Sequence, residues 1–227
     1  MNLPNKLSLT RIALIPLMVA LMYPNTTVCN LLAAAVFALP LTWVFLVFCK
    51  KGRFKDFCLT ELFSLYLCAM FNVVGIPGLQ YISWHPAVNL VPFSEEPSRR
   101  FFLQLALNAV MFAPFGFFLP VLWNKCRSWK ITTLAGFLTS ALIEFLQLFS
   151  FRATDVDDLI MNTLGAFLGY LLAWCCFHRR WQLAGEEAPG RVGDGVSLLI
   201  CVLIPLLSMI LLRDQVCQWV YNLPVFR

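Results

Sequence analysis

Seven runs of apolar residues, each near the ~20 residues a helix needs to cross a bilayer, recur through this chain of 227. They lie at 8–23, 27–49, 57–74, 101–123, 131–150, 159–177 and 196–212. Hydrocarbon offers no water to backbone N–H and C=O groups, so segments of this length must satisfy them internally as helices. Apolar residues make up 60% of the chain and charged ones 13%, which leaves no room for a soluble domain between the spans. The expected fold is therefore all-α, a polytopic transmembrane helix bundle of about seven spans. The first run is short and follows Lys6 and Arg11, a pattern that also opens secretory signal peptides, with Ala33, Ala34 and Ala35 as a small-residue cleavage site. The second run contains those alanines and overshoots a normal signal core, and either reading leaves the remaining topology unchanged.

Lys and Arg set the orientation. With the N-terminus inside, the inner segments hold Lys6, Arg11, Lys50, Lys51, Arg53, Lys55, Lys125, Arg127, Lys130, Arg179, Arg180 and Arg191, which is 12 of the 17 basic residues. Arg99, Arg100, Arg152, Arg213 and Arg227 fall outside. Every inner loop is basic, so the positive-inside rule puts the N-terminus inside and the C-terminus outside. The net charge of +5 is then loop asymmetry and attraction to anionic lipid, with no call for nucleic acid as a partner. Six of the nine cysteines lie in or at the edges of spans, and no Cys/His set has zinc spacing. Cys29 and Cys217 both fall near the outer face.

Polar residues concentrate in the fourth, fifth and sixth runs. At ~1.5 Å rise per residue, Asn108 lies about 10 Å below the outer end of its span, Glu144 about 9 Å, and Gln147 and Asn162 about 5 Å each. Gly136, Ser140, Glu144 and Gln147 follow helical spacing, as do Asp158, Asn162, Gly165 and Gly169, so each set forms one stripe. Gly165 and Gly169 form a small-xxx-small pair that lets a neighbouring helix approach, and Gly116 is the matching small residue of the fourth span. Asp157 instead shares a face with Met161, Leu164 and Leu168 and is expected toward the headgroups. The longest outer loop, 75–100, holds Gly75, Pro77, Gly78, Pro86, Pro92 and Pro97, which forbid continuous helix. Its Tyr81, Trp84 and Phe93 suit an interfacial cover.

Buried Asn and Gln commonly do no more than join helices, and an aspartate at a helix start, Asp157 or Asp158 here, commonly caps it. An ionisable Glu144 inside a span costs ~2.5 kcal/mol or more and calls for a polar cavity or a partner, for which Arg152 is nearest in sequence. Arg152, Asp155 and Asp158 are then the mouth of a pocket floored by Glu144 and Asn108. Such fixed carboxylates can bind a cationic headgroup, hold a divalent cation or pair with the arginine. No motif points to a cofactor or a resident metal.

The segments NLVPF (Asn89 to Phe93), NAVMFAPFGFFLP (Asn108 to Pro120), IEFLQ (Ile143 to Gln147) and RATDVDDLIMNTLGAFLGY (Arg152 to Tyr170) together resemble the VanZ-like family of bacterial membrane proteins. The resemblance covers roughly residues 60–177 and divides the chain into 1–56, N-terminal spans outside it, 57–177, the VanZ-like domain, and 178–227, an inner loop with the final span. It implies a helical membrane protein associated with resistance to the glycopeptide teicoplanin, and no settled reaction. The opening MNLPNKLSLTRIALIP also resembles the first helix of phosphatidylglycerophosphate synthases. Their DGxxAR element is missing, since Asp194-Gly195 runs into Val196-Ser197-Leu198. Glu95, Glu96 and Arg100 fit the EExxxR of CAAX-type intramembrane proteases without the later histidine motifs.

Two functional classes follow. In the first, an outer-leaflet pocket of Asn108, Glu144, Gln147, Arg152, Asp155, Asp158 and Asn162 binds a lipid, a lipid-linked envelope precursor or a glycopeptide antibiotic. In the second, Glu144 with Asp155 or Asp158 performs acid, base or metal chemistry on a lipid headgroup. The charge split makes a direct topological prediction. A reporter active only outside the membrane should be active when fused after Arg227 and silent within 178–195, and the reverse pattern would overturn the orientation.

Overall fold

The computed structural model describes residues 54–79, 82–84, 87–94, 96–150, 153–184, 195–212 and 214. The first two apolar runs, Arg152, Glu95, Cys29 and Cys217 lie outside the described residues. Within them the chain forms α1 (Phe54–Val74), β1 (Val88–Asn89), α2 (Arg99–Leu122), α3 (Trp129–Gln147), β2 (Thr154–Asp155), α4 (Val156–Ala184) and α5 (Gly195–Leu207). A 3-10 turn over Asn124–Arg127 joins α2 to α3, and a π turn over Ser208–Leu212 follows α5. Each of the five helices coincides with one of the last five apolar runs. Three stretches, Arg99–Leu122, Trp129–Gln147 and Val156–Arg179, are long and apolar enough to cross a membrane. The all-α expectation needs one amendment, because β1 and β2 form a short parallel pair with Val88 opposite Thr154 and Asn89 opposite Asp155.

Local chemistry explains the helix ends. Gly75 takes φ 76°, with its N–H on the Asn72 carbonyl and the Ile76 N–H on the Phe71 carbonyl, both at 3.2 Å. That is the Schellman ending, which requires a left-handed residue and so favours glycine. Ser98 caps α2, its Oγ accepting the Phe101 N–H at 3.1 Å. Pro114 and Pro120 sit inside α2, where each removes a backbone donor. One turn before Pro114, the Met111 carbonyl accepts the Tyr66 hydroxyl at 2.6 Å, which fastens α1 to α2 beside the interruption.

Among the described residues, α2 and α4 come into backbone contact. A Cβ placed on Gly165 would lie 2.2 Å from the Ala109 carbonyl oxygen, and one on Gly169 would lie 1.9 Å from that of Ala113. Gly116 meets the backbone of Ala166 in the same seam. The pairs advance together along both helices, so α2 and α4 run in the same direction with backbone against backbone. Around this seam, Phe63, Phe112, Phe115, Leu119 and Trp123 fill the core, and the Trp123 indole donates to Ser197 Oγ at 2.9 Å to bring in α5. Cys126 is buried in the turn between α2 and α3, and burial pushes its thiol up to about 12.

Gly165→Ala and Gly169→Ala should each destabilise the protein by about 1–3 kcal/mol, because the methyl group meets backbone that must shift to admit it. Leu164→Ala, on the exposed face of α4, should cost much less. Thermal midpoints of the detergent-solubilised variants test the order.

Candidate functional site

The three aspartates at the head of α4 have three different jobs. Asp155 is the helix cap, with Oδ1 accepting the Asp157 N–H at 2.9 Å. Its other oxygen accepts from Asn89 Nδ2 at 3.3 Å, across the β1–β2 pair. Asp157 reaches back over the helix end, and its Oδ1 accepts the Phe93 N–H at 2.8 Å. Asp158 crosses to α2 and accepts from the Asn108 amide. Two sequence expectations are corrected here. The cap is Asp155 rather than Asp157 or Asp158, and Asp157 does not face the headgroups but is 2% exposed. Helical spacing misplaced Asp157 because a side chain in the first turn can reach beyond the helix end to loops the wheel does not include.

Those loops form a latch. Asn89 ties itself to Ser94 Oγ at 2.9 Å and to the Val91 N–H at 3.2 Å, so it shapes the NLVPF loop while it holds Asp155. Phe93 takes φ 52°, a conformation costly for an aromatic residue, and the Asp157 carboxylate holds its N–H. Thr154 N–H donates to the Ala87 carbonyl at 2.8 Å and Ser83 N–H to that of Phe149 at 3.0 Å. Trp84 packs on Phe149 with ring centroids 5.2 Å apart. The described residues of the loop therefore pack over the end of α3 and the start of α4.

Glu144 lies beneath this latch, buried, with Oε2 accepting the Asp155 N–H at 3.1 Å. Its backbone carbonyl accepts the Thr154 hydroxyl at 3.0 Å. One turn on, Gln147 donates Nε2 to the Val74 carbonyl at 3.1 Å, and Asn162 donates to Ser140 Oγ at 3.0 Å. Below the latch a cavity of about 690 Å³ opens between α1 and α2, with α3 and α4 as its floor. Asn108, Glu144, Gln147, Asp158 and Asn162 all line it. Asp155 does not line the cavity and holds the turn above it, and Arg152 lies outside the described residues. Arg100, Gln104 and Tyr66 also line it and were not among the pocket residues expected from sequence. Arg100 carried a signal, since it sits in the first turn of a span that places Asn108 two turns deeper. Among the described residues, no three His, Cys, Asp or Glu side chains converge as a metal would require. Glu61, in α1, is not part of the cavity wall.

The residues of the latch and the cavity fall within 63–178, the stretch that matches the VanZ/LLP1 family. Protein VanZ of Enterococcus faecium is 33% identical over 164 residues, spanning 71% of this chain and 91% of that protein. No solved structure matches the chain at a significant level. The family match over the helices that build the site, together with an alignment covering nearly all of a curated relative, means that the chain belongs to the VanZ/LLP1 family.

Proposed function

We propose that this protein is a multi-pass protein of the bacterial cell membrane that lowers the action of glycopeptide antibiotics, teicoplanin above all. It does so by holding a lipid-linked or lipophilic envelope molecule in the cavity beneath the latch. Family membership supports the resistance role. The charge asymmetry of the loops supports seven spans with the cavity on the outer side. The observation that carries the binding reading is the contrast between the cavity's rim and its floor. Val73, Leu103, Leu107 and Val110 line it and are exposed, whereas Glu144, Gln147 and Asn162 are buried. An apolar rim on membrane helices above a polar floor suits a molecule with an apolar tail and a polar head.

Binding is favoured over acid–base chemistry by what the carboxylates already do. Glu144 is engaged by the Asp155 N–H, and both oxygens of Asp155 accept hydrogen bonds that hold the turn. A general base must be within reach of a substrate proton and able to accept it, and Asp155 meets neither condition.

Expression in a susceptible Gram-positive host should raise tolerance to teicoplanin more than to vancomycin, since an antibiotic anchored in the membrane is closer to a membrane protein's reach. Glu144→Gln, Asp158→Asn and Arg152→Ala should each abolish that tolerance while the protein still accumulates, and Glu95→Gln should leave it intact. Asp157→Ala should act differently, lowering the amount of folded protein by removing the acceptor for Phe93, a loss of about 1–3 kcal/mol. Drug susceptibility read beside membrane abundance separates these outcomes, and parental behaviour of every variant would overturn the reading.

A further inference from the structure

Two amide side chains in the cavity wall are only half used. Gln147 is 4% exposed and Asn162 is 3% exposed, and both line the cavity. Gln147 gives its N–H to the Val74 carbonyl, and because a carbonyl only accepts, that contact leaves Oε1 as the free end of the amide. Oε1 has no hydrogen-bond partner among the described residues, and neither has Oδ1 of Asn162, whose amide meets the Ser140 hydroxyl at its other end. A hydroxyl both donates and accepts, so the Ser140 contact holds with the Asn162 amide in either sense. Gln147 therefore calls for a donor from an occupant, and Asn162 for a donor or an acceptor. Neither demand depends on the protonation of a neighbouring carboxylate. A buried polar atom left unmatched costs more than an ordinary hydrogen bond returns, so an occupant that answers both amides is favoured over a bare apolar chain.

Spacing narrows the headgroup. Ser140, which holds Asn162, lies seven residues before Gln147 on α3, about 10 Å of helix rise. The two hydroxyls of a glycerol headgroup sit on adjacent carbons and answer one amide or the other. A phosphocholine has no donor at all. A sugar carries hydroxyls around its whole ring, a second ring extends the set, and each hydroxyl donates or accepts as the amides require.

We infer that the cavity takes the glycosyl headgroup of a glycolipid. Sugar hydroxyls meet Gln147 Oε1 and the free end of the Asn162 amide. The acyl chains lie along Leu103, Leu107 and Val110, which line the cavity and are exposed. This inference rests on the reading that the cavity holds a lipid-like molecule, and it names the headgroup.

The purified full chain, in an amine-oxide detergent that carries no sugar, is titrated with diglucosyl diacylglycerol, diacylglycerol and phosphatidylcholine of matched chains, and bound lipid is counted by native mass spectrometry. Diglucosyl diacylglycerol should bind about tenfold more tightly than either of the others, the worth of one to two neutral hydrogen bonds. Gln147→Met should erase most of that preference and leave diacylglycerol binding unchanged. The pair Asn162→Leu with Ser140→Ala should do the same, and because it removes both partners of one contact it leaves no orphan to unsettle the fold. If the amides only join helices, their loss weakens all three lipids alike, and that result overturns the assignment, as does an unchanged preference in both variants. Diacylglycerol or phosphatidylcholine binding the parent as tightly as the glycolipid overturns the glycosyl assignment and leaves the cavity reading standing. Soluble maltose should compete poorly, and competition equal to that of the glycolipid would make the occupant a free sugar and overturn the assignment. Leu107→Trp, which fills the rim, should reduce binding of all three lipids, and unchanged binding overturns the cavity reading with the inference. If neither amide variant folds, the lipid series on the parent and on Leu107→Trp still decides.

Discussion

The cavity floor and the latch above it depend on how closely α2 and α4 approach. Inside a bilayer no hydrophobic force drives helices together, since lipid chains are as apolar as leucine, and close packing of small residues takes its place. Gly165 against Ala109 and Gly169 against Ala113 bring the two backbones into contact. Only at that spacing can a short asparagine on one helix reach a short aspartate on the other. Asn108 adjoins Ala109 of the seam and Asp158 lies two turns before Gly165, so their meeting is a direct result of it. A wider crossing would require long side chains in their place, and the cavity floor would lose its shape.

Much of this was legible in the sequence, for physical reasons. A helix repeats every 3.6 residues, so the 4, 3, 4 spacing of Asp158, Asn162, Gly165 and Gly169 placed them on one face before any fold was known. Rise per residue then put Asn108, Glu144, Gln147 and Asn162 at similar depths, and the structure brings those four to one cavity wall with Asp158. The glycine ending of α1 and the serine cap of α2 are local chemistry of the same kind.

What escaped the sequence reading was everything decided by contact between distant segments. The β1–β2 pair has two residues per strand, too short to show alternation. Asp155 and Asp157 are two residues apart with identical side chains, and their roles are divided by where Asn89 and Phe93 arrive from a loop more than sixty residues earlier. Asn89 was part of the family resemblance, but nothing local tells which carboxylate it meets. Tyr66 likewise has no signal within α1 that marks its bond to Met111, because the partner is a backbone carbonyl beside a proline of another helix.

The short ladder also says something about the order of assembly. Asn89 and Asp155 are separated by 66 residues, and between them lies the whole α2–α3 hairpin. Bringing the ends of a flexible chain that long together costs ~4 kcal/mol before any bond is made, more than two strand pairs return. The clasp is therefore a late event. It closes only after the hairpin has formed and α4 has docked along α2, when the two strands are already neighbours and the ring they complete is nearly free of entropic cost. A cavity whose ceiling is laid last has its helices fixed first, and its upper edge can open without unmaking the bundle.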